Sequence, residues 1–598
     1  MQYSPRPVST RSHIRRAGIL ALCAASAGFA HANVKLPAIF GDHMVLQRDT
    51  AVPVWGTADP GESVTVTAGG DKAAATAGKD GAWSVKLEKL AASSTPIDVI
   101  VAGKNTLTFH DVLVGDVWLC SGQSNMELGI RAVMPPDEFK VLKEQPQIRL
   151  FGVPKWVAPK PEPDVASAPA MAPLGARWVV CNVDGLTKSA EWSGFSGVGY
   201  YFGTELHAST NQPVGLIESA YGGTRIHSWM SLDMLQTMPQ KVSATKGAIE
   251  FRDHYDEIKT KWETVTLPAW NAELAKWKED NKAALDAYAA DTATWQTASK
   301  AAAAAHQPGP PRPRAPKEPR GPRDPIHDSQ ASCALYNGMI APLMPFAIKG
   351  AVWYQGESSS AEYGVYTAEL PALIKDWRNQ WGQGDFPFIV VQLPNYAAGK
   401  NPDGTETWPL MREIEANVAS QLPNVGYAVT LDIGEPGNLH PTDKLDVGKR
   451  LALVAQHVAY GHTLVYSGPT FKSSAISGKD VRVTFDNIGS GLTIGTPPAH
   501  YYSAQHSVKA PAAPATELTG FEVAGSDGKF APATARIDGD AVVVSSDSVP
   551  TPVAARYAWA NAPTCNLYNK EGLPAAPFRT ETPEPAPQPA PKTQHGGT

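Results

Sequence analysis

The chain has 598 residues, more than one hydrophobic core supports, so its length predicts two to four domains. Apolar residues make up 43% of the sequence and charged residues 18%, a composition that excludes wholesale disorder. The 52 basic and 58 acidic residues leave a net charge of −6, which argues against a nucleic-acid partner and favours a neutral or polyhydroxylated one.

Residues 1–32 have the pattern of an export signal. Three arginines within 11–16 form a basic region, an apolar run covers 17–30, and a small-x-small cleavage site ends at Ala32. The run is shorter than the roughly 20 residues that span a bilayer, and no other stretch is long and apolar enough to do so. We therefore expect export to the periplasm or the exterior, cleavage near Ala32, and no membrane span.

Four cysteines follow that cleavage site: Cys120, Cys181, Cys333 and Cys565. Their wide spacings match no zinc pattern. An oxidising compartment allows one or two disulfides, and burial as free thiols is an equal alternative.

Residues 33–112 predict an all-β domain. Short apolar runs such as 52–56 and 63–66 are separated by turn clusters such as Asp59-Pro60-Gly61, the spacing of a small sandwich. Similar short runs return over 465–581 and predict a second sandwich-like domain. The Pro-rich residues 582–598 have the composition of a disordered tail.

Residues 113–464 predict an α/β domain between these two. Strand-like runs, among them 116–119 and 214–218, alternate with helical segments such as 199–208 and 368–380. This alternation predicts a largely parallel sheet with helices on both faces. In such domains the chemistry collects at the carboxyl ends of the strands.

An insertion at about 240–326 interrupts the α/β domain. Its large apolar residues recur at helical spacing: Trp270, Leu274, Trp277, Leu285, Tyr288 and Trp295. A helical hairpin that packs its own stripe is the favoured interpretation, over an aromatic ligand platform. The basic, Pro-rich stretch 308–325 should be extended and solvated rather than packed.

A serine stands at the end of the first predicted strand of the α/β domain. In GDVWLCSGQSNM (115–126) the strand enters a glycine turn and leaves Ser124 at the start of a helix, where free backbone N–H groups favour negative charge. Ser124 could attack as an alkoxide and help to hold an oxyanion through its own N–H. A helix N-cap is an equal alternative.

Two further strands end in polar motifs, ESAYGGT and WYQGES. In the first, Gly222 and Gly223 permit positive φ and a close approach of backbone N–H groups to a ligand, although such pairs are more often plain turns. In the second, Gln355 could donate its amide to the same oxyanion. Glu357 could orient the substrate or make a structural hydrogen bond.

The candidate base lies in LDIGEPGNLHP (431–441). His440 follows a strand and precedes a helix-like segment, 443–454, that would fix its position. A neutral imidazole with a pKa near ~6.5 is a suitable proton acceptor.

Taken in order, GQSNM, YGGT, WYQGES and HPTDK resemble the sialate O-acetylesterase family of SGNH (GDSL-type) hydrolases. LPAIFGDHMVLQRD near the start and RYAWANAP and GLPAAPFRT near the end agree with that family, so the resemblance covers most of the mature chain. It implies a three-layer SGNH domain of flavodoxin-like type, flanked by N- and C-terminal β-sandwich-like domains. It also implies hydrolysis of O-acetyl groups on sugars, with no metal or organic cofactor.

The resemblance assigns roles to the residues above. Ser124 would attack the acetyl carbonyl, and His440 would take its proton and later return it to the sugar oxygen. The oxyanion would be held by the N–H groups of Ser124 and of Gly222 or Gly223, and by the side chain of Gln355, where many SGNH enzymes have Asn.

The acidic member of the triad is the one departure from the wider superfamily. Many SGNH enzymes carry Asp three residues before the histidine, where this chain has Gly437. Asp432 and Glu435 are candidates for the acid. A Ser–His dyad oriented by a backbone carbonyl, that of Asn438, is favoured.

The expected partner is an acetylated carbohydrate, either sialic acid or fragments of xylan, xyloglucan or pectin. Glu357 and Arg225 are candidates to bind it. Two other functions stay open: a catalytically inactive glycan-binding protein on an SGNH scaffold, and a broad-specificity carboxylesterase. The sequence does not predict an oligomeric state.

Overall fold

The longest strand of the protein, Thr106–Gly122, belongs to two sheet regions at once. A computed structural model describes residues 33–167, 172–305, 307–401, 403–498 and 515–581. In it, the first half of this strand pairs with Ser93–Ala102, and the second half pairs with Val214–Ala220 and Gly350–Tyr354. The boundary predicted after residue 112 therefore falls inside a continuous strand. The predicted export signal and the predicted tail lie outside the described residues.

The N-terminal region is β, as the turn spacing predicts. Its strands before the long one are Val45–Gln47, Val52–Thr57, Ser63–Ala68, Asp71–Thr76, Ala82–Leu87 and Ser93–Ala102. In Ser63–Ala68, Val64, Val66 and Ala68 are buried and the residues between them are not, because successive side chains of a strand point to opposite faces. Val52–Thr57 pairs with Ala82–Leu87 as a separate two-stranded sheet.

A mostly parallel sheet forms the centre of the protein. Across it the strands run in the order Val425–Ala428, Phe388–Val391, Gly350–Tyr354, Thr106–Gly122, Val214–Ala220, Gln145–Gly152 and Trp178–Cys181. The last strand is antiparallel to its neighbour, and the other pairs are parallel. Val117 and Leu119 join one apolar cluster and Trp118 and Cys120 another, so both faces of the sheet are covered.

Helices cover these two faces. Gly197–Thr210 and Lys444–Val458 pack on one face, and Tyr363–Trp381 and Thr407–Gln421 on the other. The mixed α/β class with a mostly parallel sheet between helices is confirmed. Shorter helices and turns connect the strands: Ser124–Glu127, Ile130–Val133, Pro136–Lys140, Val183–Lys188, Ile226–Trp229, Leu232–Gln236, Pro239–Lys241, Val242–Asp253, Tyr255–Lys261, Trp262–Thr266, Tyr336–Ile340, Ala341–Leu343 and Glu357–Glu362.

The C-terminal region is built from antiparallel sheets. One has four strands in the order Thr470–Ser477, Asp480–Asp486, Ala541–Ser545 and Thr534–Asp538, and the second has Phe530–Pro532, Phe521–Ala524, Ala554–Tyr557 and Phe578–Arg579. Leu492–Ile494 pairs with Leu567–Asn569. A shared core joins the two larger sheets, with Val483 and Val544 from one and Val523 and Phe578 from the other.

The insertion folds differently from the predicted hairpin. Helices Leu267–Asp280 and Lys282–Ala304 do not fold back on each other, because their backbone hydrogen bonds continue through Asn281, from Asn281 N–H to the Trp277 carbonyl at 2.9 Å and from Leu285 N–H to the Asn281 carbonyl at 3.0 Å. The aromatic stripe instead contacts the Pro-rich segment. The indole N–H of Trp295 donates to the Pro310 carbonyl at 2.8 Å. The prediction of a hairpin was wrong, and the Pro-rich segment is extended but packed on one side.

The four described cysteines are free thiols, and Cys120, Cys181 and Cys333 are buried. This settles the sequence alternatives for them in favour of thiols. Burial raises the pKa of Cys181 and Cys565 to about 12, so these two are not reactive thiolates at neutral pH.

Candidate active site

A cavity of about 820 Å³ opens at the carboxyl edge of the central sheet. Ser124 reaches it from the end of Thr106–Gly122, and Gly222 and Gly223 from the end of Val214–Ala220. Glu357 and His440 complete the set of predicted residues that line it. Parallel strands bring their carboxyl ends to one edge, which is why segments far apart in sequence meet there.

The turn that presents Ser124 is fixed by its neighbours. Gly122 has φ +140°, and a Cβ at that position would lie 2.1 Å from the Tyr354 carbonyl oxygen, so only glycine fits. The N–H of Gln123 donates to the same carbonyl at 3.0 Å, and its side-chain oxygen accepts from the N–H of Ser358 at 3.2 Å. The N-cap of helix Ser124–Glu127 is Gln123, so Ser124 does not fill the capping role that the sequence left open.

His440 lies half-buried in the wall of the cavity. Its ring packs edge-on against Trp192, with ring centroids 5.2 Å apart, and its backbone N–H donates to Asn438 Oδ1 at 3.0 Å. Burial, and then the positive charge of Lys444, lower the pKa of His440 from its ordinary value of 6.5. The unprotonated, proton-accepting form is therefore favoured near neutral pH.

The two candidate acids are bonded to other groups. Asp432 accepts from the Arg450 guanidinium at 2.5 and 2.7 Å and from the Tyr568 hydroxyl at 2.9 Å. Glu435 accepts from the backbone N–H of Thr442 at 3.0 Å and from the Asn438 side chain at 3.2 Å. Neither lines the cavity, so the structure does not bring them to the site. Asn438 contacts His440 through its side chain, which accepts a hydrogen bond from the backbone N–H of His440.

A carboxylate occupies one of the predicted oxyanion donors. The Gly222 N–H donates to Glu127 Oε2 at 2.6 Å, and Glu127 Oε1 pairs with Lys155 at 2.5 Å. Glu127 lies three residues after Ser124 on the same short helix, and both line the cavity. Gly223 has φ +73° and also lines it. The sequence reasoning missed Glu127 and Lys155, because nothing in the motifs indicates this pairing.

Gln355 is placed differently from its predicted role. Its amide nitrogen donates to the Thr224 carbonyl at 3.0 Å and to the Ser359 hydroxyl at 3.0 Å, and the side chain is fully buried outside the cavity. The predicted amide donor to the oxyanion is therefore corrected to a structural contact between two cavity-forming loops. Arg225 also lies apart, in a neighbouring cleft, where it pairs with Glu362 at 2.8 Å.

A buried polar network joins three of the motifs beneath the cavity. Asn125 donates to Glu357 Oε1 at 2.5 Å and to the Leu439 carbonyl at 3.0 Å, and it accepts from Lys444 Nζ at 2.7 Å. Burial raises the pKa of Glu357 and lowers the pKa of Lys444 to about 7. Glu357 thus has a structural bond as well as a place in the cavity wall. Asn125 and Lys444 stand inside GQSNM and HPTDK, a signal that could have found them.

Two kinds of structural feature are absent from the described part of the chain. Among those residues, no group of three or more His, Cys, Asp and Glu side chains is arranged to hold a metal ion. Nor does any helix of that part have the length and apolar character needed to cross a bilayer.

Comparison with known proteins identifies the class. The family model described as "carbohydrate esterase, sialic acid-specific acetylesterase" matches residues 114–254 and 326–457. A solved carbohydrate acetylesterase from Xanthomonas citri is 33% identical, with a TM-score of 0.68, over 92% of this chain and 100% of that one. Sialate O-acetylesterases of Mus musculus and Homo sapiens are 28% and 26% identical, over 75% and 71% of this chain and 78% and 71% of theirs.

With this fold and these matches, the protein is a carboxylic ester hydrolase. It belongs to the sialic acid-specific acetylesterase family of carbohydrate esterases, as the order of its motifs predicted.

Proposed function

We propose that the protein removes O-acetyl groups from carbohydrates through an acyl-enzyme on Ser124, with His440 as the general base. The observation that carries this proposal is that both residues line one cavity, although they lie far apart in the chain. His440 takes the Ser124 proton as the hydroxyl oxygen attacks the acetyl carbonyl, and it returns the proton to the departing sugar oxygen. Water then hydrolyses the acetyl-serine, with His440 again as the base.

The oxyanion of the tetrahedral intermediate is held by the backbone N–H groups of Ser124 and Gly223. Ser124 begins a helix, where backbone N–H groups have no intrahelical partner. The N–H of Gly222 is already bonded to Glu127, so Gly222 contributes by fixing the glycine turn and not by donating to the oxyanion. Glu127 and Lys155 fix the glycine turn beside the nucleophile, and Gln355 fixes its far side.

His440 works as part of a dyad. Trp192 and the Asn438 side chain set its position, and burial, together with the charge of Lys444, favours the neutral imidazole. Lys444 is itself held by Asn125, whose amide also binds the carbonyl of Leu439, the residue before His440. Asn125 and Lys444 are therefore positioning residues for the base. This arrangement supports the SGNH type of active site that the motifs imply.

The substrate is an acetylated sugar or oligosaccharide. Four aromatic side chains line the cavity and offer flat apolar surfaces to sugar rings: Trp192, Tyr221, Tyr396 and Trp408. Arg131 is exposed on the cavity wall, where its cation could meet the carboxylate of an acidic sugar. Relatives named for sialate favour such a sugar, and acetylated xylan or pectin fragments are the other members of the class. We propose export after cleavage near Ala32 as the route to these substrates.

The test is active-site labelling combined with acetate release. A fluorophosphonate probe should label the wild-type protein and not Ser124→Ala, and only the wild type should release acetate from 4-nitrophenyl acetate and acetylated glycans. Absence of both labelling and acetate release in the wild type would overturn the proposal and favour an inactive glycan binder. Faster turnover of butyrate than acetate esters would identify a broad carboxylesterase instead.

A further inference from the structure

The Pro-rich segment of the insertion, residues 307–325, has a period of three. Prolines stand at 310, 313, 316, 319, 322 and 325, and cationic residues at 314, 317, 320 and 323. An extended polyproline II chain has three residues per turn, so residues three apart lie on one face of it. The prolines therefore form one face of the segment and the cations another.

The proline face packs on the helices before it. Pro313, Pro316 and Pro319 are half-buried, whereas most of their neighbours in the segment are exposed. The helices present one half-buried stripe at spacings of three and four, at 267, 270, 274, 277, 281, 285, 288, 292, 295 and 299. We call helices Leu267–Asp280 and Lys282–Ala304 together with residues 307–325 the arm.

The Pro-rich segment contacts the helices near both of its ends. Trp295 holds the Pro310 carbonyl, and a Cβ on Gly321 would lie 3.1 Å from the Trp270 indole. At 3.1 Å per residue, 310 to 321 spans about 34 Å of polyproline II chain. At 1.5 Å per residue, 270 to 295 spans about 38 Å of helix. The two lengths match, so the segment runs antiparallel along the helices as a strap.

The cationic face of the strap is free for a partner. Arg314, Lys317 and Arg320 are exposed, and no ion pair within the described ranges involves them. Arg323 differs, because it pairs with Asp328 at 2.6 Å, and Arg312 lies over the Trp295 ring at 5.6 Å. The three free cations follow one another at intervals of about 9 Å on a straight backbone.

We propose that this cationic row docks a linear acidic polysaccharide along the arm. A straight, single row of cations on a backbone already ordered by its helix matches a polymer whose carboxylates repeat along its length, and little ordering entropy is lost on binding. A membrane partner is less well matched, because the apolar face of the strap is packed on the helices. Nucleic acid is less well matched too, because the half-buried tryptophans are committed to the strap. The family match omits residues 255–325, so this surface lies outside the matched hydrolase residues.

The test compares polymer binding by the full chain and by charge variants. Wild type, Arg314→Gln/Lys317→Gln/Arg320→Gln, and a control with the same charge change on exposed lysines of the N-terminal β region, Lys79→Gln/Lys86→Gln/Lys89→Gln, are run in affinity gels with polygalacturonate. Wild type and control should be retarded equally at low salt. The arm variant should bind about tenfold more weakly, and added salt should abolish the difference.

Other outcomes decide against the proposal. It is overturned if the arm variant binds polygalacturonate as tightly as wild type, or if wild type does not bind it. It is also overturned if duplex DNA or anionic phospholipid vesicles bind the row more tightly than polygalacturonate. Turnover of 4-nitrophenyl acetate should be equal in all three proteins, so this test and that of the proposed hydrolysis fail independently.

Discussion

In the candidate active-site cavity the walls come from different segments of the chain, whereas the arm is one stretch that packs on itself. Ser124, Gly222 and His440 follow separate strands or loops. Side chains from another segment hold the Gly222 N–H and the carbonyl that precedes His440. The arm is held by contacts between its own helices and strap. A regular surface can be built from a local period alone, but atoms that must meet at fixed distances need bonds across the fold.

The largest effect should come from removing either member of the proposed dyad. Ser124→Ala and His440→Gln should each lower kcat by about 10⁴-fold or more, and the double variant should be no slower than the singles, because the two groups act as a unit. Steady-state kinetics with 4-nitrophenyl acetate measure this. His457→Gln, at the far end of helix Lys444–Val458 and outside the cavity, is the matched control. Additive losses in the double variant would contradict the dyad.

A smaller effect on turnover is expected from substitution of Glu127, whose carboxylate bonds one segment of the cavity wall to another. Glu127→Ala removes the acceptor of the Gly222 N–H and should lower kcat/KM by roughly 10- to 100-fold, since a misplaced turn weakens oxyanion binding. Glu127→Gln keeps an oxygen acceptor and should lose less than about tenfold.

A faster Glu127→Ala variant would contradict the positioning role of Glu127. If the carboxylate blocks an oxyanion donor, Glu127→Ala should be faster than wild type, because the Gly222 N–H is released. Glu88→Ala, an exposed glutamate of the N-terminal region, controls for loss of surface charge.

Substitution of Lys444 is expected to change the pH dependence of kcat/KM. The base form of His440 is lost as pH falls through its lowered pKa, so kcat/KM of the wild type should hold to below pH 6.5 and then decline. Lys444, with a pKa of about 7, is charged in that range. Lys444→Met removes the charge, so the pKa of His440 should rise and the acid limb should move to higher pH.

Lys449 lies on the same helix, half-exposed beside Asp446, and provides the control. Lys449→Met should leave the acid limb where it is. A loss of rate in Lys444→Met that is equal at every pH would show a structural role only.

The smallest effect on turnover is expected in the arm. Trp295→Ala removes the bond to the Pro310 carbonyl and the contact with Arg312, so residues 307–325 should be cleaved faster by trypsin. Ester turnover should stay within about twofold of wild type, since the arm holds itself. Thr297→Ala, on the exposed side of the same helix, should change neither measurement. A lower kcat in Trp295→Ala would mean that the arm supports the cavity after all.

Much of the candidate site could be predicted because motifs at strand ends meet at one edge of a parallel sheet. Ser124, Gly222, Gly223, Glu357 and His440 were placed together on that ground, and the structure brings them to one cavity. Where the prediction departed from the structure, the reason is competition between partners. A buried amide takes whichever acceptors are nearest, and motif position does not show which those are.

Gln355 and the candidate acids illustrate that competition. The amide of Gln355 bonds to Thr224 and Ser359, and Asp432 is bound by Arg450 and Tyr568, a residue of the C-terminal region. None of these partners is adjacent in sequence. The same holds for the carboxylate of Glu127 at the Gly222 N–H.

The sequence by itself determined the class of fold, the edge of the sheet where the site lies, and the apolar stripe along the helices of the arm. These follow from local periods of two and of three to four residues, which burial imposes on strand and helix. Only the tertiary structure decided which side chain bonds to which, and that the aromatic stripe is covered by its own strap instead of a second helix. Hydrogen bonds and desolvation act over a few ångströms of space, and the spacing of residues along the chain does not encode those distances.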